Sequence, residues 1–132
     1  MGKRVLVVDD NRYTADSFAR LISLLGHEAR PAYSGSEAVK CTADFSPDMV
    51  LLDIDMPGMD GYEAVRRLRQ DPLHSHAIIV AVTGWARQED QRRAYDAGFD
   101  LHVAKPISVE RLKELTAMLR PTDPRTTTAW CR

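Results

Sequence analysis

Along the chain, short unbroken apolar runs alternate with longer segments in which apolar residues return at helical spacing. The run VLVV within Lys3 to Val8 is β-branched, too short for a helix and bounded by Asp9-Asp10, so it predicts a strand buried on both faces. From Tyr13 to Leu25, residues Ala15, Phe18, Ile22 and Leu25 line one side of a helix, with Asp10 or Asn11 as N-cap and Gly26 as the stop. Glu28 to Tyr33 predicts a weaker strand, and Pro31, which has no N–H to donate, assigns it to a sheet edge. Ser36 to Phe45 predicts a second helix capped by Ser36, with Ala38, Val39 and Ala43 facing inward.

The most apolar strand follows in MVLL, at 49 to 52. The alternation then continues through helix Tyr62 to Arg69, strand Ala77 to Val82, helix Gln88 to Ala97 stopped by Gly98, strand Leu101 to Ala104, and helix Val109 to Leu119 capped by Ser108. Strand and helix in regular succession require parallel strands joined by right-handed crossovers. The expected fold is therefore α/β: a doubly wound, five-stranded parallel sheet with helices on both faces, formed as one domain by residues 1–120. Residues 121–132, PTDPRTTTAWCR, combine two prolines and three successive threonines without periodicity, and are expected to be a flexible tail carrying Trp130.

Composition narrows the function without naming it. At 132 residues and 44% hydrophobic, the chain can bury an ordinary core without staples. Lys and Arg number 18 against 19 Asp and Glu, so no global field directs the protein to nucleic acid or to a membrane surface. No apolar run approaches the length of a membrane span and no signal-type segment follows Met1, so a cytoplasmic protein is expected. Cys41 and Cys131 form neither a disulfide framework nor a metal pair. His74 and His76 share a polar loop with no third ligand nearby, and Arg66, Arg67, Arg69, Arg92 and Arg93 read as solvated helix faces.

The chemistry collects where the strands end. Ligands of parallel α/β sheets bind outside the carboxyl ends of the strands, and those ends carry Asp9-Asp10, Asp53 with Asp55, Thr83-Gly84, and Lys105-Pro106. Each motif alone would be ordinary, an N-cap, a turn or a loop start; together they place acids, a hydroxyl and a lysine on one edge. Two carboxylates held at about 4 Å repel by on the order of 4 kcal/mol at an effective dielectric near ~20, and a divalent cation relieves that repulsion. Oxygen-only ligands favour Mg²⁺, which keeps positions open for water and phosphate oxygens. Asp53, at the end of the central strand, is the best candidate for a nucleophilic carboxylate that forms an acyl phosphate, with Thr83 and Lys105 as donors to the phosphoryl group. Gly58 and Gly61 let the following loop turn away and leave backbone N–H groups near the site.

These motifs, VLVVDDN, LLDIDMPGMDG, VTG and AKP in that order, resemble the receiver domain of two-component response regulators, of the stand-alone chemotaxis-regulator kind, over about residues 3 to 119. The resemblance implies the flavodoxin-like strand order 2-1-3-4-5. It also implies that Asp53 accepts a phosphoryl group from a sensor histidine kinase or histidine phosphotransfer protein. Asp10 and Asp53 would ligate Mg²⁺ together with the backbone carbonyl of Asp55, and Asp9 would act through water. Thr83 would move to bond the phosphoryl oxygens, Lys105 would pair with them, and the Lys105-Pro106 bond would be cis. Signalling would then proceed through a downstream protein that reads the face of the fourth helix, fifth strand and fifth helix, near whose start Trp85 lies.

Two residues depart from the commonest family pattern. His102 stands three before Lys105, where the family often has Tyr or Phe that swings inward with the hydroxyl residue; a His can still rotate and donate. Asp55 adds a carboxylate two past the acceptor, where it could position or repel the water that hydrolyses the acyl phosphate. The stretch GFDLHVAKPI also resembles receivers attached to hybrid histidine kinases, the alternative origin for this domain. DIDMP resembles the nucleophile motif of haloacid-dehalogenase-type phosphatases, but the match breaks at Met56-Pro57, and that motif belongs on a first strand with no acidic pair before it.

Overall fold

The structure, a computed structural model, describes residues 3–55, 61–71, 77–84 and 88–119. Five strands alternate with five helices: β1 (Arg4–Val8), α1 (Arg12–Leu24), β2 (Glu28–Ala32), α2 (Gly35–Phe45), β3 (Met49–Asp53), α3 (Gly61–Gln70), β4 (Ile78–Thr83), α4 (Gln88–Ala97), β5 (Leu101–Ala104) and α5 (Val109–Ala117). All strand pairings are parallel, as the alternation predicts, and the order is β2-β1-β3-β4-β5, as the family resemblance implies. Pro31 lies on β2, an edge strand, beside Val7. The tail 121–132 with Trp130 and Cys131, the His74–His76 loop, Met56, Pro57, Gly58 and Trp85 fall outside the described residues.

Alternation along the central strands splits the core into two layers. Leu6, Val8, Val50, Leu52, Ile79 and Ala81 face α2, α3 and α4, where Phe45, Val65, Leu68 and Ala94 cover them. Val5, Val7, Met49, Leu51, Val80 and Val82 face α1 and α5, covered by Ala15, Ile22, Leu112 and Leu115. Every residue of β3 is buried, which is why its sequence is continuously apolar until the final Asp53.

Local chemistry sets the helix ends. Asn11, not Asp10, caps α1, its side chain accepting from the Thr14 N–H, and Gly26 follows the helix at φ 99°. The cap of α2 is Ser34 rather than Ser36: the Ser34 hydroxyl accepts from the Glu37 N–H at 3.1 Å, and Glu37 stands three residues on, the spacing of a capping box. Ala38, Thr42 and Phe45, at i, i+4 and i+7, face inward and Ala43 is exposed, against expectation. Gly98 ends α4 at φ 122°, and Ser108 caps α5 as expected.

Arg69 does not belong to a solvated face. Its guanidinium donates to the carbonyls of Gly98 at 2.9 Å and Ala77 at 2.8 Å and pairs with Asp100, whose carboxylate also accepts from the Ile79 N–H. One side chain thus ties the end of α3 to the start of β4 and the end of α4. Arg93 is exposed, as expected, while its guanidinium lies over the buried Tyr62 ring, 4.1 Å from its centroid.

Gly61 opens α3 where the chain returns from the carboxyl edge. A Cβ there would lie 2.5 Å from the Cα of Ile54, so the glycine serves close backbone approach. Gly61→Ala is expected to lower unfolding stability by roughly 1–3 kcal/mol in chemical denaturation, because backbone rather than a flexible side chain must move; an unchanged midpoint would refute this account of the glycine.

Candidate functional site

Parallel register lines up the strand ends. Val8 pairs with Leu52, Asp53 with Val82, and Thr83 with Ala104, so the residues at or just past these ends share one edge. Backbone hydrogen bonds continue the alignment beyond the strands: Asp9 N–H donates to the Ala32 carbonyl, Ile54 N–H to Val82, and Lys105 N–H to Thr83 at 2.8 Å. The Lys105-Pro106 peptide bond is cis.

Asp53 sits at the centre and is 2% exposed. One of its carboxylate oxygens accepts from the Lys105 ammonium at 2.8 Å, and the other from the Asp55 N–H at 2.9 Å. Asp9 is also buried, with one oxygen accepting from the Asn11 N–H at 2.9 Å, whereas Asp10 is exposed. Asp9 and Asp53 also line a small, mostly apolar pocket together with Val7, Phe18, Leu51, Val82 and Ile107.

The electrostatics follow from that burial. Desolvation pushes the Asp9 carboxyl above its ordinary value, and the charges of Asp53 and Asp10 add to the push against the opposing Asn11 N–H and Lys105. Desolvation alone would pull the Lys105 ammonium down; its hydrogen bond to Asp53 and the charges of Asp53, Asp9 and Asp55 outweigh it and leave Lys105 above its ordinary value. Lys105 therefore stays a cation at neutral pH. Its contact compensates Asp53, so the acid left least compensated is Asp9.

One carboxylate oxygen each from Asp9, Asp10 and Asp53 lie within 4.8 Å of one another. Three oxygen donors, two of them on buried residues, fit a small hard divalent cation, and no nitrogen or sulfur ligand competes in the set.

Two features of the edge were not read from the sequence. The Asp55 carboxylate accepts from the Thr83 hydroxyl, 3.2 Å and 3.5 Å from its two oxygens, and from the Gly84 N–H at 3.1 Å. Motif spacing brings Asp55 to the edge but says nothing of where its side chain turns. His102 pairs in register with Ala81 and so shares the sheet face of Ala81 and Thr83.

The chain matches the family described as response regulator receiver domain over residues 5–117. It is 35% identical over 114 residues to the polar-differentiation response regulator DivK of Brucella ovis, covering 86% of this chain and 93% of that protein. Among solved structures, a putative response regulator from Chloroflexus aurantiacus superposes with a TM-score of 0.82 at 28% identity, over 90% of this chain and 98% of that one. The chemotaxis protein CheY4 of Vibrio cholerae superposes with a TM-score of 0.85 over 91% of this chain and all of that one (100%), and at 23% identity it speaks for the fold alone.

Burial of Asp9 among acids has a measurable cost. Its carboxyl is raised in the folded state, so ionised Asp9 opposes folding above that folded pKa, and the opposition fades as acid protonates it. Asp9→Asn, which keeps an acceptor for the Asn11 N–H, is expected to raise stability at pH 7 without divalent cations by on the order of 1 kcal/mol. The gain should disappear below about pH 4, near the unfolded carboxyl pKa. Equal denaturation midpoints for both proteins at pH 7 would contradict it.

Proposed function

This chain belongs to the response regulator receiver domain family, and from that premise we propose that Asp53 accepts a phosphoryl group from a phosphohistidine on a sensor histidine kinase or histidine phosphotransfer protein. The observation that carries the reading is the Asp53–Lys105 contact of 2.8 Å, a buried carboxylate held against a cation at the meeting point of three strand ends. Residues 1–120 form the receiver unit in this reading, and the protein works in the cytoplasm as a signalling domain that assists its own phosphorylation and dephosphorylation.

In the transfer, a carboxylate oxygen of Asp53 bonds to phosphorus as the phosphorus–nitrogen bond of the donor breaks, and that bonding pair returns to the imidazole. A carboxylate is itself the nucleophile here, so the transfer calls for no general base, and the 2.8 Å contact with Lys105 holds Asp53 in place. The Lys105 ammonium and the Thr83 hydroxyl then face the oxygens of the transferred group, where negative charge gathers. Asp10 and Asp53, with the backbone carbonyl of Asp55 and with Asp9 through water, would hold Mg²⁺, which when bound supplies positive charge for those oxygens. The Asp55 N–H keeps the Asp53 carboxylate oriented throughout.

The product carries roughly two negative charges at one site, about one more than the carboxylate it replaces. A change in partner affinity follows only where two conformations meet that charge differently, and Thr83 provides the difference by joining β4 to it. The face of α4, β5 and α5 lies beyond Thr83 and His102 and is the surface a downstream protein would read.

A labelled phosphoryl donor, either a phosphorylated histidine phosphotransfer domain or acetyl phosphate, tests the reading. The parent should take up one alkali-labile phosphoryl group per chain, Asp53→Asn none, and Asp10→Asn should react at least ~10-fold more slowly, as should the parent in chelator. Label retained by Asp53→Asn would refute the acceptor assignment, and sustained hydrolysis of a phosphate ester would instead support the phosphatase alternative.

A further inference from the structure

The acceptor reading uses the backbone of Asp55 and leaves its carboxylate without a task. That carboxylate is bound at the place where a phosphoryl group on Asp53 needs donors. The Thr83 hydroxyl at 3.2 Å and the Gly84 N–H at 3.1 Å both point at it, and both belong to the carboxyl end of β4, whose Val82 pairs with Asp53. Asp55 thus grips the acceptor with its own N–H, 2.9 Å from the Asp53 carboxylate, and grips the β4 donors with its side chain.

Resting on the acceptor reading above, we propose that Asp55 is a positioning residue whose carboxylate stands in for the phosphoryl oxygens in the unmodified protein and must leave Thr83 and Gly84 before they can bind the phosphoryl group. Both ligands of the two donors are anionic, so they compete for the same hydrogen bonds and repel each other if both remain. Asp55 is exposed, and its displaced carboxylate can be solvated at once. The phosphoryl group brings more charge and three acceptor oxygens against two, so it wins the donors, but by a margin reduced by the contacts Asp55 gives up. Residue 55 therefore sets how far phosphorylation shifts the population of the form with Thr83 turned to Asp53. This differs from an effect on hydrolytic water: it acts before any bond to phosphorus is broken, and it operates on a non-hydrolysable ligand.

Beryllofluoride with Mg²⁺, a phosphoryl analogue that forms on acceptor carboxylates, separates these effects. Asp55→Ala leaves the backbone of residue 55 in place. It should bind the analogue roughly tenfold more tightly than the parent, the size of one charge-assisted hydrogen bond no longer held in the free protein. Because loss of a negative charge alone would also tighten binding, the same substitution is measured in a Thr83→Val background. There the gain should fall to about twofold or less if the hydroxyl contact is its source. In the free protein, the Gly84 amide proton should move upfield on Asp55→Ala as its carboxylate acceptor is lost. Equal or weaker binding by Asp55→Ala, an undiminished gain with Thr83→Val, or an unmoved Gly84 amide each overturns the proposal. Absence of saturable binding by the parent, with Asp53→Asn behaving alike, overturns the acceptor reading and this inference with it, an outcome distinct from a parent that binds and an Asp55→Ala that gains nothing.

Discussion

The carboxyl edge of this sheet is organised around one ion pair, Lys105 to Asp53 at 2.8 Å. A carboxylate that is 2% exposed and flanked by two further acids would otherwise be an uncompensated buried charge, among the costliest arrangements a small domain can hold. The lysine reaches it because β5 ends in register with β4 and its next residue bonds back to Thr83. Acid and cation come from positions 52 residues apart, so the pair exists only when the whole sheet has assembled.

The fold supports that pair by making β3 wholly buried between two apolar layers. Low dielectric around the strand end strengthens the Asp53–Lys105 attraction, and it also penalises Asp9, whose carboxyl is raised chiefly by burial. One environment therefore yields an acid in direct contact with a cation and a second that the same cation offsets only in part. A divalent cation would relieve the second, which makes charge crowding at this edge the physical basis of metal affinity. The helices keep the frame rigid at a distance: Arg69 ties α3, α4 and β4 together on the side away from α1 and α5.

Asp55 links the frame to the switch. Through its backbone it holds the acceptor, and through its side chain it holds Thr83 and Gly84, so the resting form of β4's end is itself a bound state. In the proposed function, a phosphoryl group at Asp53 would exchange one anion for another at those donors, and the response of the α4, β5 and α5 face would depend on the difference between the two.

Much of this was legible in the amino-acid order. Continuous apolar runs separated by helical periodicity determined the parallel α/β sheet, and the acids, hydroxyl and lysine at successive strand ends determined which residues would meet, because parallel strands bring all such ends to one edge. Finer features depended on geometry that pattern does not encode. Ser34 took the cap expected of Ser36 because its hydroxyl reached the Glu37 N–H, and Ala43 lies outside the inward stripe of Ala38, Thr42 and Phe45. Arg69 left a presumed solvated face because three partners from distant segments converge on its planar guanidinium. The engagement of Asp55 with Thr83 and Gly84 could be known only from the tertiary structure. Spacing specifies where a Cα stands along a strand, whereas the direction of a carboxylate is decided by which donors the folded chain places within hydrogen-bond distance.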